Sequence, residues 1–292
     1  RMPLGGLLRG WGEALPGPLR NLAALGMLFI GGIWITRLIA RNMILLERTY
    51  MPAIIFLIVG CGSWYDPAAL DLFAATLLMI GSFDRTIGSF RREVVYTHIF
   101  NASLLLGIAL LTYAPAAVYI PLLPVALVLF RKRWREWIVA LAGLVLPTAI
   151  CSYVWWALGR PLTEVPVRLW EALCDTWYAP AFLVHWLNPL LLLLWAMIAV
   201  LTVWSLVIFV RQAHSMRTRP YKSYLYFIWI LFFSALPLIP PGRSVGELML
   251  LAVPLAVIIP TCFNRRESTW LGIAYLLLLV SMIAYNLFPV SL

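Results

Sequence analysis

The sequence predicts an all-α membrane protein, a polytopic bundle of about ten transmembrane helices in 292 residues. Hydrophobic residues make up 63% of the chain and charged residues only 12%, whereas a soluble domain is about one quarter charged. The apolar stretches are long and show no alternation of polar and apolar residues, which excludes a transmembrane β-barrel. Arginine-rich loops alternate along the chain with loops of mixed charge, as expected for helices that cross a membrane repeatedly.

Each apolar stretch predicts one span. The spans are expected at 21–39, 49–63, 67–83, 99–114, 115–131, 136–158, 183–211, 223–240, 245–263 and 269–288. The second, fourth and fifth are shorter than the about 20 residues of an ordinary crossing. Pro115 is expected to mark a tight outer turn between the fourth and fifth spans. Gly26, Gly31 and Gly32 in the first span are expected to let neighbouring helices approach closely.

The formal net charge is +10, and 20 of the 22 basic residues are arginine. On a soluble protein this charge would suggest nucleic acid as a partner. Here the basic residues flank apolar spans, where they set orientation and meet anionic lipid headgroups. The expected partners are therefore membrane lipids rather than nucleic acid.

The distribution of charge over the loops predicts orientation. One set of alternate loops carries 15 basic residues against five acids: Arg41, Arg48, Arg85, Arg91, Arg92, Arg131, Lys132, Arg133, Arg135, Arg211, Arg217, Arg219, Lys222, Arg265 and Arg266. The other set carries six basic residues against seven acids. The first set is therefore predicted to be cytoplasmic and the second periplasmic, in a bacterial inner membrane. Because the chain starts at Arg1 rather than methionine, we expect upstream residues, with one further span among them.

Two amphipathic segments are predicted on the outer face. Residues 1–20 form the first, with a helix or loop at 4–19 anchored by Trp11, and residues 21–292 form a single transmembrane domain. The second is a helix at 163–178, which lies flat on the outer leaflet or roofs a cavity. Its polar face carries Arg168, Glu171 and Asp175, and its apolar face Trp170, Leu173 and Trp177. The tryptophans are expected to face inward.

Arg168 and Glu171 of this helix are candidate contacts for a substrate or a lipid phosphate, because they would lie above such a cavity. Other aromatic residues near span ends, Trp155 and Trp156 among them, are expected to form the aromatic belt at the membrane interface.

Asp71 is the first candidate for a catalytic residue, since it falls about one turn inside the third span. A carboxylate at this depth is costly unless it is paired or faces a wet cavity. The alternative is a structural role, because an acid in the first turn of a helix interacts favourably with the helix dipole.

Arg243 and Glu247 are the candidate lipid-phosphate site at the start of the ninth span. Two prolines and a glycine precede Arg243 and hold it in a tight outer loop. A guanidinium matches phosphate oxygens in a bidentate way. The alternative is a local pair of the two side chains, four residues apart on one helix face.

No sequence motif indicates a metal or a cofactor, and none is expected. The four cysteines are not spaced as metal ligands, and none of the three histidines has a second ligand one turn away: Cys61, Cys151, Cys174, Cys262, His98, His185 and His214.

Residues 98–147 resemble an uncharacterised polytopic inner-membrane family of Bacteroidota, which shares the FNA…LLG…Y.P run at 100–115 and the WREW segment at 134–137. The stretches at 2–8 and 48–59 are similar to the same family. Its members usually carry one more N-terminal span. The resemblance implies lineage and a membrane location.

A second resemblance is to the GT-C class of polyprenyl-phosphate-sugar glycosyltransferases. Arg243 followed by LMLLAVPLAVII at 248–259 is similar to a late arginine-containing segment of those enzymes. They carry an acidic catalytic motif in the first outer loop, and Glu13 alone stands at the corresponding place here. The resemblance implies Glu13 or Asp71 as a base and Arg243 as the phosphate ligand.

The sequence leaves three functions open. The first is an envelope protein of the inner membrane that handles, or helps transfer, a lipid-linked glycan on the periplasmic side, with a polyprenyl-phosphate lipid as partner. The second is a non-catalytic subunit that scaffolds an envelope or secretion complex with other membrane proteins, favoured by the scarcity of ionisable residues at mid-span. A transporter is the third. Whether the chain is an enzyme stays undecided at this point.

Overall fold

A computed structural model describes residues 3–45, 49–62, 69–90, 95–175, 189–212, 218–236, 248–263 and 269–287. These residues are helical and contain no strand, which confirms the all-α class. The helices are α1 Pro3–Ala14, α2 Gly17–Asn42, α3 Met51–Gly62, α4 Leu70–Gly88, α5 Tyr96–Thr112, a 3-10 helix Ala114–Tyr119, α6 Leu122–Leu129, α7 Trp134–Ala157, α8 Glu164–Asp175, α9 Pro189–Gln212, α10 Thr218–Ala235, α11 Leu248–Ile258, α12 Pro260–Phe263 and α13 Thr269–Leu287.

The centre of the bundle is α11. Every residue from Met249 to Ile259 is buried, and α2, α3, α4, α9 and α10 pack around this helix. A helix that is apolar on all sides lies either in a protein core or against lipid. The helices packed around α11, whose sequence is LMLLAVPLAVI, place it in the core.

Three helices among the described residues are long and apolar enough to cross a membrane: Gly17–Asn42, Trp134–Ala157 and Leu192–Gln212. On α7, the apolar side chains of Ile138, Leu141 and Val145 lie on one helical face and are each more than half exposed. Soluble proteins rarely expose so large an apolar surface to water. The length and composition of these helices are therefore those of a membrane protein.

The region predicted as a fifth span, 115–131, is not one helix. It divides into the 3-10 helix Ala114–Tyr119 and the short α6, which has eight residues. Pro121 stands between the two helices and lacks the N–H group that a continuous helix would use, which explains the division. The region forms two short helices instead of one, and its crossing of a membrane stays a prediction.

Glycines allow α5 and α7 to approach closely. A Cβ atom added at Gly107 would lie 2.6 Å from the carbonyl oxygen of Leu144, and one at Gly143 would lie 2.8 Å from that of Phe100. Real Cβ atoms do not come so near to a backbone oxygen. The two helices are therefore in backbone contact at this level, as small residues permit in membrane bundles.

A buried hydroxyl compensates for the proline within α11. Pro254 has no N–H for the carbonyl of Leu250, four residues earlier. The Tyr119 hydroxyl, fully buried, donates to that carbonyl oxygen at 3.1 Å and lies 2.6 Å from Ser234 Oγ. The 3-10 helix is thereby fixed to the central helix.

Four loop or helix-end regions meet at one end of the bundle, which we call the basic end. Arg41 at the end of α2 pairs with Asp84 near the end of α4. The Lys132 ammonium, before α7, donates to the Ser89 carbonyl oxygen at 2.9 Å, and Lys222 on α10 lies 5.6 Å from the centre of the Phe90 ring. The predicted grouping of these basic loops is confirmed for these regions.

The other end of α7 leads to α8, and we call this the α8 end. The 24 residues of α7 make it about 36 Å long, enough to separate the two ends by a bilayer core. Helix α8 lies within the predicted segment 163–178, so its helical state is confirmed over Glu164–Asp175. It packs against α7 and the 3-10 helix. Helix α1 falls largely within the predicted segment 4–19, and Trp11 is 72% exposed.

Candidate functional site: an apolar cavity below two arginines

A cavity of about 730 Å³ lies between α1, α5 and α7. Its lining is Pro3, Leu4 and Leu7 of α1, Leu104, Ile108 and Leu111 of α5, and Leu146, Pro147, Ile150, Cys151, Val154 and Trp155 of α7, with Leu158 and Arg160 beyond. The α5 residues recur at helical spacing, so one face of that helix forms a wall. The volume is that of an ordinary small-molecule site, about 300–1,000 Å³. Its walls are almost wholly apolar.

A glycine turn brings Arg160 to the mouth of the cavity. Helix α7 ends in a pair of hydrogen bonds, from the Gly159 N–H to the Trp156 carbonyl oxygen at 2.9 Å and from the Arg160 N–H to that of Trp155 at 3.0 Å. This is the Schellman arrangement, which requires a left-handed residue after the helix. Gly159 supplies it with φ of +85°. The chain therefore folds back, and Arg160 lies over the last turn of α7.

Helix α8 adds a carboxylate and a second arginine. The turn at Pro161 leads to Glu164, whose N–H donates to the Pro161 carbonyl oxygen at 3.1 Å. Glu164 and Arg168 are one helical turn apart, so their side chains meet on one face. Glu164 Oε1 lies 3.1 Å from a terminal nitrogen of Arg160 and 2.5 Å from one of Arg168. One carboxylate oxygen thus serves two guanidinium groups.

Both guanidinium groups also lie on Trp155. The Cζ atoms of Arg160 and Arg168 are 4.7 and 5.0 Å from the centre of its ring. Cations at this distance are attracted by the negative ring face. We call Trp155, Arg160, Glu164 and Arg168 the arginine cluster. Its arginines remain about half and two-fifths exposed, whereas Glu164 is 18% exposed.

The arginine cluster carries one uncompensated positive charge, since two guanidinium groups share one carboxylate. Arg160 and Trp155 belong both to this cluster and to the cavity lining. The arrangement is an apolar compartment with a cationic, hydrogen-bonding rim. It suits a molecule with an apolar chain and an anionic head.

Of the residues proposed from the sequence, Arg168 lies in the arginine cluster. Glu171, on the same helix, is exposed and makes no ion pair among the described residues. We expected Trp170 to face inward, towards the membrane. Its side chain is 69% exposed, and among the side chains of α8 that the structure describes Val165 is the fully buried one. The orientation of the Trp170 ring towards lipid or water stays a prediction. The structure describes no side chain for Asp175, and Trp177 lies outside the described residues.

The two acids proposed as catalytic lie outside the cavity lining. Glu13 on α1 is half-exposed and pairs with Arg9, with 3.6 Å between Glu13 Oε1 and Arg9 Nε. Asp71 stands in the first turn of α4, partly buried. Arg243 and Glu247 lie outside the described residues, so their roles stay predictions.

Three residues of the arginine cluster were not singled out as functional from the sequence. Trp155 was assigned to the aromatic belt, and Arg160 and Glu164 were counted only as loop charges. The spacing of Arg160, Glu164 and Arg168, each four residues apart, was the available signal. It is weak, because such pairs also occur on ordinary solvated helices.

Among the described residues, no group of three or more His, Cys, Asp or Glu side chains is placed to hold a metal ion. In comparisons with known proteins, the chain matches no protein-family model, no curated protein and no solved structure. The function proposed next therefore depends on the geometry of the cavity and the arginine cluster.

Proposed function

We propose that this chain is a multi-pass protein of the bacterial inner membrane, with about ten crossings and GT-C-like architecture, that binds a lipid-linked glycan on the periplasmic side. The observation that supports the proposal is the apolar cavity of about 730 Å³ with Arg160 at its mouth. The lipid chain occupies the cavity, the phosphate lies against the arginine cluster, and the glycan extends outward. The sequence resemblance to the GT-C class agrees with this role, and the resemblance to the Bacteroidota family agrees with the membrane location.

The headgroup must supply most of the selectivity. A lipid chain that moves from the bilayer into the cavity exchanges one apolar environment for another, so little hydrophobic free energy is gained. A phosphate that leaves the interface for the arginine cluster gains charge-assisted hydrogen bonds with a planar donor. The lipid chain in the cavity therefore positions the ligand, and Arg160 and Arg168 select its headgroup.

The distribution of basic residues between the two ends of the bundle supports an orientation with the α8 end in the periplasm. The basic end collects Arg41, Lys132 and Lys222, and basic loops are retained in the cytoplasm. The α8 end, across the length of α7, then faces the periplasm. Lipid-linked glycans that are used in the cell envelope present their sugars on that side.

The alternative is a non-catalytic subunit that holds the same lipid for a partner protein. It is favoured by the chemistry of the wall, since no carboxylate is among the described residues that line the cavity. Glycosyl transfer needs a base within reach of the acceptor. Glu13 or Asp71 would have to approach the headgroup in the bound state for the chain to be a transferase.

A binding experiment tests the proposal. The purified protein in phosphatidylcholine nanodiscs is titrated with a short-chain polyprenyl phosphoglucose and with the polyprenol of equal length. We expect the phosphoglucose to bind at least about tenfold more tightly, because only it reaches both arginines. Bound lipid should also slow alkylation of Cys151, which lies in the wall and is measured by mass spectrometry of its peptide.

The variant Arg160→Gln with Arg168→Gln should lose this preference, and Arg135→Gln, an exposed arginine near the start of α7, should retain it. Equal affinity for alcohol and phosphate, or full binding by the double variant, would contradict the proposal. For orientation, cysteines introduced at Ser215 and Thr163 are labelled in intact cells after removal of the native cysteines. Reaction at 163 but not 215 is expected, and the reverse would overturn the topology.

A further inference from the structure

We propose that α1 is a gate of the cavity, and that the gate opens when the helix of α1 unwinds. This helix contributes Pro3, Leu4 and Leu7 to the cavity lining. When these side chains move away, the apolar volume opens for the entry or exit of a bulky apolar ligand. The inference adds a route of access to the proposed function, and its test uses no lipid phosphate, so the two can fail separately.

The helices that line the cavity differ in how firmly they are attached. Helices α5 and α7 are in backbone contact at Gly107 and Gly143. Helix α1 packs against α4 and α5. Among the described residues, its one ion pair, Arg9 with Glu13, lies within the helix, and none of its hydrogen bonds reaches another helix. The attachment of α1 therefore depends on apolar contacts, which lipid tails can replace at little cost in free energy.

The sequence of α1 makes a weak helix. Four of its 12 residues are glycine, and each glycine makes the helical state about fivefold less favourable than alanine would. Gly5 and Gly12 are buried, so packing explains them. Gly6 and Gly10 have no heavy atom within 4 Å of a notional Cβ atom. These two glycines do not serve packing, and their effect is to keep the helix easy to unwind.

The boundary between α1 and α2 confines the unwinding to α1. Pro16 is extended, with ψ of 143°, and has no N–H to continue a helix. Its carbonyl oxygen accepts a hydrogen bond from the Arg20 N–H at 3.0 Å, so α2 keeps its own start. The side chains of Arg9 and Glu13 are 40% and 54% exposed, as is typical of a helix at the membrane interface. There, water can satisfy the N–H and carbonyl groups that unwinding frees.

The experiment measures access to Cys151, which α7 contributes to the cavity lining. The full chain in phosphatidylcholine nanodiscs is treated with N-(1-pyrenyl)maleimide, a bulky apolar thiol reagent, and alkylation is followed by mass spectrometry of the Cys151 peptide. The variant Gly6→Ala with Gly10→Ala should slow this alkylation by about 20-fold, because each alanine favours the closed helix by about fivefold. Hydrogen–deuterium exchange of the α1 amides should slow by the same factor.

Gly26→Ala is the matched control, since Gly26 on α2 also has no neighbour within 4 Å of a notional Cβ atom. It should leave both rates at the wild-type value. Cys61 on α3 is the reference within each sample, and its alkylation should be the same in all variants.

Slower exchange in α1 with unchanged alkylation of Cys151 would show that α1 is not the gate. Unchanged exchange would show that Gly6 and Gly10 do not weaken the helix, and a wild-type Cys151 that does not react would show that the gate does not open. Each of these results overturns the inference and leaves the lipid-phosphate site to its own binding test.

Discussion

Helices α5 and α7 meet in two different ways on neighbouring faces. Gly107 and Gly143 bring the two backbones into contact, with 2.6 Å from a notional Cβ of Gly107 to the Leu144 carbonyl oxygen. On an adjacent face of α5, Leu104, Ile108 and Leu111 line the cavity of about 730 Å³ together with residues of α1 and α7. The same pair of helices is thus in backbone contact on one face and lines an open volume on the next.

The ion pairs also differ between the basic end and the α8 end. At the basic end, Arg41 has Asp84 to itself, and Asp84 is 7% exposed. Lys132 donates to a backbone carbonyl, and burial lowers the pKa of its ammonium, an effect that the nearby Glu136 carboxylate opposes. At the α8 end, two arginines share Glu164. The difference is that Arg41 and Lys132 at the basic end each have a partner of their own, whereas at the α8 end one carboxylate is shared by two arginines.

The largest effect on stability is expected where the backbones of α5 and α7 are in contact. Gly143→Ala places a methyl group against the Ser103 hydroxyl, which can rotate away, and 2.8 Å from the Phe100 carbonyl oxygen, which cannot move without α5. Overpacking of this kind costs about 1–3 kcal/mol. The midpoint of thermal unfolding in detergent should fall accordingly.

Gly26→Ala is the control, because no heavy atom lies within 4 Å of its notional Cβ. Alanine is the better helix former by about 1 kcal/mol, so this variant should be as stable as wild type or more so. Equal midpoints for both variants would mean that α5 and α7 are not in backbone contact.

The second effect concerns the turn that presents Arg160. Gly159→Ala forces an L side chain into the left-handed region, where Gly159 has φ of +85°, and this costs about 1–2 kcal/mol. Since a Cβ there meets no atom within 4 Å, the cost is conformational rather than steric. Affinity for polyprenyl phosphoglucose should fall with stability. Gly272→Ala, within α13 and also without neighbours within 4 Å, should leave the affinity unchanged and the stability equal or higher.

The third effect separates the two ion-pair systems. Asp84→Asn removes the charge that Arg41 contacts from a buried side chain, and we expect a loss of about 1 kcal/mol, limited because Arg41 is 45% exposed. Unfolding should be easier, with binding of polyprenyl phosphoglucose unchanged. Glu164→Gln should show the opposite pattern, with stability within about 0.5 kcal/mol of wild type and a changed affinity for polyprenyl phosphoglucose, because Arg160 and Arg168 lose the carboxylate that they share. Identical behaviour of the two variants would remove the distinction between the ends.

Much of the frame could be predicted from the sequence, because it depends on local patterns. Apolar stretches marked most of the described helices, and Gly31 and Gly32 do lie against Phe56 and Ala53 of α3. The charge of alternate loops indicated which regions meet at the basic end. The amphipathic pattern of residues 163–178 indicated α8. Such signals lie within one helix or one loop, so periodicity and charge can be recognised from the sequence of that segment alone.

The cavity could not be predicted in this way, since it exists only where α1, α5 and α7 fail to fill the space between them. The residues of its wall look like any lipid-facing or core residues in the sequence. Trp155 resembled a member of the aromatic belt until Arg160 and Arg168 were seen to lie over its ring. The division of 115–131 was missed for a different reason. The long apolar run drew attention away from Pro121, which stands between the two helices.

The smallest effect on stability, and the sharpest test of the compartment, is expected from Cys151→Phe. At Gly143 a phenyl group would collide with α5. At Cys151, which lines the cavity, a phenyl group would project into the cavity. The free energy of unfolding should stay within about 0.5 kcal/mol of wild type, since added apolar bulk meets no packed neighbour. Binding of polyprenyl phosphoglucose should nevertheless be lost, because the ring occupies the space of the lipid chain.

Val145→Phe, on the exposed face of the same helix, adds similar bulk towards the bilayer and should change neither the stability nor the binding. Thermal unfolding and nanodisc titration of the two variants decide the matter. Full binding by Cys151→Phe would show that the lipid chain lies elsewhere, and strong destabilisation would show that the cavity wall is packed.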